Sequence, residues 1–243
     1  MATHICVRTR GSAVALVAVC ALLVSAGSAA AQQTLNVSLG YFTVRGEDAR
    51  VERDVLTENR NVLAFDISDF NGAAIGAEWL VPLGQFFEAG AGVGFSRRTV
   101  DSFYERFTDR DGSDIEQQLR LRIVPVAFTV RVLPLGQTSP VQPYFGGGLG
   151  LFNWRYSESG EFVDFQQNNA IFRERYVASG SETGPIVLGG LRFAGDSMSS
   201  GFEIRYQGAD APLGRPFSGL QREPRIDLGG WTYELTVGWR FGG

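Results

Sequence analysis

The chain has 243 residues, 44% hydrophobic, 12% aromatic and 20% charged, with 31 Gly, a composition that excludes a disordered chain or a fibrous repeat and fits one domain. All 22 basic residues are Arg and the formal net charge is −4, a balance that argues against nucleic-acid binding. Cys6, Cys20 and the only His, His4, fall within the first 31 residues, so the remainder offers no disulfide framework, thiol or imidazole.

Residues 1–31 are predicted to be a secretory signal peptide and 32–243 the barrel that follows. Arg8 and Arg10 precede an apolar run from Ala13 to Val24, which ends in the small residues Ser25 to Ala31; cleavage is expected after Ala31. The apolar run is short of the roughly 20 residues of a membrane-anchoring helix. Val19 stands before Cys20 where a lipoprotein signal carries a small residue. Without Arg8 and Arg10, 20 Arg face 26 acidic side chains, a net −6.

Beyond Ala31 apolar residues recur with period two, as in strands with two different faces. The first strand, about 34–44, sets Leu35, Val37, Leu39 and Tyr41 against Asn36, Ser38 and Gly40. A charged stretch at about 45–69 has no sustained helical period. The second strand, about 70–81, sets Ala73, Ile75, Ala77, Trp79 and Val81 against Gly72, Ala74, Gly76 and Glu78. It ends in a tight turn at Pro82-Leu83-Gly84-Gln85. In the third, Phe87, Ala89, Ala91, Val93 and Phe95 oppose Glu88, Gly90, Gly92, Gly94 and Ser96.

After a charged loop at about 97–117, the fourth strand begins with Leu119, Leu121 and Ile123 opposite Arg120 and Arg122. From Pro125 onward Val126, Phe128, Val130 and Val132 carry the large face, and Ala127, Thr129 and Arg131 the small one. That one-residue slip predicts a β-bulge. Leu133-Pro134-Leu135-Gly136-Gln137 then repeats the earlier turn. The glycine-rich fifth strand, Val141 to Trp154, is followed by a polar stretch at 155–183 rather than a helix. Its glycines therefore read as relief of crowding in a narrow barrel, not as a phosphate cradle.

Val187, Gly189, Leu191 and Phe193 make a sixth strand. Phe202, Ile204 and Tyr206 against Glu203, Arg205 and Gln207 make a seventh. A loop at about 208–227 leads into the last, where Trp231, Tyr233, Leu235, Val237, Trp239 and Phe241 oppose Thr232, Glu234, Thr236, Gly238 and Arg240.

Alternating long and short connections place three tight turns and both termini at one end and four long loops at the other. The large faces are apolar and the opposite faces small or charged, the arrangement of a barrel in lipid. The expected fold is all-β: an eight-stranded antiparallel transmembrane β-barrel, an up-and-down meander preceded by a signal peptide. A soluble lipocalin-like binding barrel, large face inward, is the competing fold.

Three segments, Pro143-Tyr144-Phe145-Gly146-Gly147-Gly148-Leu149-Gly150, Gly201-Phe202-Glu203-Ile204-Arg205-Tyr206 and the strand ending in Phe241, together with the leader, carry a resemblance across the whole mature chain. It resembles the small eight-stranded bacterial outer-membrane barrels of the OmpA, OmpX and OmpW type. The resemblance implies an outer-membrane location with periplasmic termini, contact with outer-membrane lipid and lipopolysaccharide, and assembly by the barrel-assembly machinery. The assembly signal would comprise Tyr233, Leu235, Val237, Trp239 and Phe241, although Gly242 and Gly243 follow the terminal aromatic.

Alternation places Glu78, Glu88, Arg120, Arg122, Arg131, Glu203, Arg205, Glu234 and Arg240 in the lumen, where confined charges must pair. A salt-bridged structural plug is the favoured reading of this cluster and a gated ion path the alternative. Outer-membrane barrel enzymes resemble one another in relying on a His near the rim, and none follows residue 31, so no catalytic residue is assigned. Asp109 to Glu116 lacks calcium-loop spacing, so no metal or cofactor is assigned. The expected role is non-enzymatic, structural or surface-interacting through the four long loops. The segments Phe103–Phe107 and Phe172–Val177 are candidates for strands rising above the membrane and adding a partner strand. A narrow channel or transporter for small apolar molecules or ions is the alternative.

Overall fold

A computed structural model describes residues 32–165, 167–214, 217 and 223–242; the signal peptide expected at 1–31 lies outside them. The strands are β1 (Gln33–Val44), β2 (Gly72–Pro82), β3 (Phe87–Thr108), β4 (Asp114–Val132), β5 (Val141–Asp164), β6 (Ala170–Ala194), β7 (Met198–Gln207), β8 (Asp210–Pro212), β9 (Arg225–Asp227) and β10 (Gly230–Phe241). Eight of them close a barrel in the order β1-β10-β7-β6-β5-β4-β3-β2, while β8 and β9 pair with each other inside the last long loop. All barrel neighbours are antiparallel and adjacent in sequence along the meander, and β1 with β10 closes the ring from Gln33↔Phe241 to Val44↔Gly230.

The short connections carry out the turn chemistry expected of them. Gly84 and Gly136 adopt φ of +88° and +77°, the left-handed region that glycine enters without a Cβ clash. The two turns also hold each other: the Gln137 amide donates to the Gln85 carbonyl at 2.9 Å and the Leu133 amide to the Phe86 carbonyl at 2.8 Å.

Outward-facing apolar side chains form a band around the turn-side half of the barrel. Leu39, Phe145, Leu149 and Leu235 are 58–67% exposed, as are large parts of Ile75, Val93, Phe128, Val187 and Phe202. A soluble protein does not leave so continuous an apolar surface in water. Inward-facing Asn36, Ser38, Glu78, Glu88, Arg131 and Glu203 are buried. The barrel is thus apolar outside and polar inside, as lipid requires.

Two expectations are corrected. The stretches 97–117 and 155–183 are not loops, because β3, β4, β5 and β6 run far past the apolar band. Only short turns join them, near 109–113 and 165–169. The β5–β6 ladder is continuous from Val141↔Phe193 to Asp164↔Ala170. The turn at Asp109 to Ser113 is closed by the Asp109 amide on the Ser113 carbonyl, with Asp111 Oδ1 accepting from the Ser113 amide and hydroxyl. Those carboxylates serve turn geometry.

The second correction concerns Pro125. There is no bulge: the β4–β5 register runs unbroken through Ile123↔Trp154, Val124↔Asn153, Pro125↔Phe152 and Val126↔Leu151. Leu119, Leu121 and Ile123 are buried inside the barrel, on the same side as Ala127, Thr129 and Arg131. What changes at Pro125 is the surroundings. On the turn side the outer face meets lipid and takes the large residues. Above the band it meets water, and the large residues move to the inner face, where the four extended strands cover an apolar core.

That core is closed from above by the long first loop, 45–71. Its short helix α1 (Val55–Asn59) is capped by Asp54, whose carboxylate accepts from the Thr57 amide, a cap that offsets one of the free amides of a helix start. Val55, Leu56, Leu63, Ile67 and Phe70 pack inward against Ile115, Leu119, Leu121, Tyr156, Phe217 and Ile226. Leu63 bridges to Tyr104, and the Ala64 amide donates to the Phe103 carbonyl, so the first loop covers the outer edge of β3.

Candidate functional site

The inward positions of β2, β3, β4, β6 and β7 bring three arginines and three glutamates together in the turn-side half of the lumen. Arg131 lies at the centre, paired with Glu78, reaching Glu203 at 2.8 Å and Glu88 at 3.9 Å. Its guanidinium also lies 4.8 Å from the centre of the Tyr144 ring. Arg192 makes a two-pronged contact with Glu88, at 3.1 and 2.9 Å, and donates to Gln142 Oε1 at 2.8 Å. Arg205 holds Glu203 at 2.7 Å and Glu78 at 3.4 Å. The Tyr144 hydroxyl donates to Glu203, and the Thr129 hydroxyl to Glu78.

The side chains of Arg131, Glu88 and Glu203 are at most 2% exposed. Three charges of each sign pair with one another, as a low-dielectric interior demands, and of the Arg131 guanidinium only Nε is buried without a hydrogen-bond partner. Close approach of β4 and β5 makes room for Arg131. A Cβ on Gly146 or Gly148 would collide with the carbonyl oxygens of Val130 or Phe128, so the glycines of β5 are spacers in a crowded barrel.

Of the nine expected lumen charges, Glu78, Glu88, Arg131, Glu203 and Arg205 form this cluster. Glu234 is the cross-strand partner of Glu203 and lines a cavity of about 50 Å³ with Arg205, Asn36, Ser38 and Gln207. Arg240 lies at the turn end and donates to the Gly195 carbonyl at 2.6 Å, apart from the cluster. Arg120 and Arg122 point outward, above the apolar band. Arg120 bonds to Thr99 and Gln118 on that outer face, for the continuous register at Pro125 leaves no phase change to turn them in. Arg192, Gln142 and Tyr144 join the cluster without having been expected. Their position opposite Leu191, Phe193, Pro143 and Phe145 in the alternation was the available signal.

Phe42 and Ile186 supply apolar lining to the same cavity, and Ile123 and Phe152 are buried with them in the apolar core. A polar trio is embedded in that core: Glu158 Oε1 accepts from Asn59 Nδ2 at 2.6 Å and from the Tyr156 hydroxyl at 2.8 Å. Burial pushes the Glu158 carboxyl above the usual carboxylate range, against the two hydrogen bonds, and burial beside Glu158 raises the Tyr156 phenol well above its ordinary value. This trio ties α1 to the wall of the extended sheet.

A second clasp joins the first and last loops. Asp227 accepts from Arg45, from the Val51 amide and from the Gly229 amide at 3.1, 3.2 and 2.7 Å. The Asp227 amide in turn donates to Asp54 at 2.7 Å, and Arg50 grips the same Asp54 through two nitrogens. These bonds hold the first loop to the last one at the barrel mouth. Among the described residues no three Asp, Glu, His or Cys side chains gather as metal ligands.

The outward row of β10, Tyr233, Leu235, Val237, Trp239 and Phe241, is 42–67% exposed and continues the apolar band up to the closing pair with β1.

No family model and no curated protein matches the chain. Among solved structures it is similar to the outer membrane protein OprG from Pseudomonas aeruginosa, at 11% identity and a TM-score of 0.51 over 88% of this chain and 97% of that one. Ail, the attachment invasion locus protein of Yersinia pestis, aligns at 12% identity over 87% and 99% with a TM-score of 0.42. Neisserial surface protein A aligns at 11% over 87% and 97% with a TM-score of 0.39. With its closed eight-stranded meander, apolar exterior and charged interior, the chain has the fold of the small eight-stranded outer-membrane β-barrels.

Proposed function

We propose that the chain is a non-enzymatic barrel of the bacterial outer membrane, with periplasmic termini, that acts through the sheet it raises above the lipid. The observation that carries this is the β5–β6 hairpin. Above Leu151 and Thr183 it continues for 13 further pairs, to Asp164↔Ala170, a rise of about 40 Å along the strands. β6 pairs with β7 only as far as Ile186↔Gln207. Among the described residues no strand forms a ladder with 170–184 on that side. The last loop packs against part of it, with Gly208 and Ala209 beside Gly184 and the Phe217 ring 6.1 Å from Tyr176, which leaves the stretch nearer the tip as the exposed edge.

An edge of this kind presents free amides and carbonyls in register, which an extended peptide segment completes as an added strand. Phe172, Arg173, Glu174 and Arg175 are exposed beside it and would select the segment. The lumen supports the same reading against a channel, since the charged cluster and the apolar core obstruct it in series. β10 then serves closure and presentation to the assembly machinery.

The test is to replace 157–177 with Asn-Gly, a two-residue hairpin turn, between the paired residues Tyr156 and Ala178, which removes the exposed edge with Phe172 to Arg175. Cells displaying the shortened protein should lose binding to surfaces that the intact protein engages, while the barrel keeps its heat-dependent gel mobility. Unchanged binding would overturn the proposal.

A further inference from the structure

On the outer face of the extended sheet three arginines stand side by side. Arg97 on β3 is the cross-strand partner of Arg122 on β4, and Arg122 is the partner of Arg155 on β5. All three are exposed, and none hydrogen-bonds or ion-pairs with any described residue. Two other arginines of this outer wall are engaged, Arg120 with Thr99 and Gln118 and Arg173 with Glu161; Arg175 on β6 is not, but it stands alone and higher on the sheet, outside the row. Like charges directly opposite across a sheet repel, so a row of three without a counter-charge is an arrangement that an external anion would complete. Ser179 on β6, the partner of Arg155, extends the row with a hydroxyl. The nearest acid on the outer face of β3, Asp101, is four residues farther up and accepts from Gln118 at 2.9 Å.

The level of the row identifies the anion. On β3 the outward apolar residues run from Phe87 to Phe95, nine residues, which is what a tilted strand needs to cross the hydrocarbon. Arg97 is the next outward residue, about 7 Å farther along the strand. Arg122 likewise follows Val124, and Arg155 follows Leu151 and Asn153. The three guanidiniums therefore stand where the head groups of the outer leaflet meet the barrel wall. Planar forks of this type match phosphate oxygens, and neighbouring strands at about 4.8 Å spacing spread the row across about 10 Å.

We propose that Arg97, Arg122 and Arg155 form a binding site for the phosphorylated head group of an outer-leaflet lipid. The site rests on the membrane reading given above. It would fix one face of the barrel to a lipid of high negative charge and set the depth at which the extended sheet leaves the membrane.

The experiment compares the refolded full chain with a triple variant, Arg97→Gln, Arg122→Gln and Arg155→Gln. These side chains touch nothing in the lumen, and heat-dependent mobility confirms that the variant is folded. Both proteins are inserted into phosphatidylcholine vesicles containing diphosphorylated lipid A, or the same lipid A with its phosphates removed. Lipid retained through detergent extraction is then counted by native mass spectrometry.

The expected result is selective retention of the phosphorylated lipid, falling about fivefold for each arginine removed and weakening with salt. Equal retention by the triple variant, or equal retention of the dephosphorylated lipid, would overturn the site. So would inorganic phosphate alone displacing the lipid at equal concentration, which would make the row a site for a free anion. A protein that does not insert into either vesicle would overturn the membrane reading and the site together, an outcome separate from insertion without selectivity.

Discussion

Arg131 on β4 and Glu203 on β7 meet at 2.8 Å across the barrel, each with a side chain at most 2% exposed. Neither is a neighbour of the other in the sheet, so the contact spans the lumen and fixes its cross-section. Removing the arginine leaves Glu78, Glu88 and Glu203 buried with only Arg192 and Arg205 to balance them. Arg131→Met is therefore expected to destabilise the barrel by about 3–5 kcal/mol. Arg173→Ala, which breaks an exposed pair with Glu161, is expected to change stability by less than about 1 kcal/mol. Urea unfolding in detergent micelles measures both. Equal effects would mean that the lumen is wetter than its burial indicates.

The glycines of β5 give a second contrast. Gly148 faces the lumen, where a Cβ would strike the Phe128 carbonyl, whereas Gly189 on β6 faces outward, with the Tyr144 carbonyl 3.6 Å from the position of a Cβ. Gly148→Ala is expected to cost about 1–3 kcal/mol by overpacking, or to shift the β4–β5 register. Gly189→Ala should be close to neutral. The same unfolding measurement decides it, and a tolerated Gly148→Ala would show that β4 and β5 can separate.

The strands of the membrane-scale half were legible because lipid outside and charge inside impose alternation on every strand, as in Leu235 against Glu234 or Phe202 against Glu203. The upper half was not, for two physical reasons. At Leu119, Leu121 and Ile123 the large face changes sides when the strand leaves lipid for water, and side-chain size alone reads that as a slip in register. At Phe172 to Arg175 both faces of the hairpin meet solvent, so no apolar period marks how far the strand runs; the aromatic residues alone make Phe103–Phe107 and Phe172–Val177 candidates for raised strands, and both segments do lie in strands, β3 and β6. Arg192 is different. It sits between Leu191 and Phe193, and its lumen position follows from the alternation already recognised there.

Glu158 makes the mouth of the barrel sensitive to pH. Its carboxyl is raised by burial, so the folded state binds a proton more tightly than the unfolded chain does. Stability from this group is fully present below the ordinary glutamate pKa and is lost as pH rises through the elevated folded value. Hydrogen-exchange protection of the α1 amides, which Asn59 links to Glu158, is expected to fall over that window. Glu158→Gln should flatten the profile. A profile that rises across the same window would mean that the carboxylate is held charged.

Conductance tests the lumen as a whole, because its two obstructions act in series. The turn-side obstruction is electrostatic, built from Arg131, Arg192, Arg205 and their glutamates. The other is apolar, built from Ile123, Phe152 and Ile186 with Leu56 and Leu63 of the first loop. An apolar constriction excludes ions by staying dry even where charges below it are altered. Planar-bilayer recordings on the intact protein are therefore expected to be silent, and Arg131→Met alone should remain silent. Replacing 46–70 by a short linker removes α1 and its apolar side chains but leaves the charged cluster in place, so that variant should be silent too. Only the combination, with Phe152→Ser and Ile186→Ser added to wet the upper wall, should pass current. A steady ion current through the intact protein would establish the channel reading in place of the structural one.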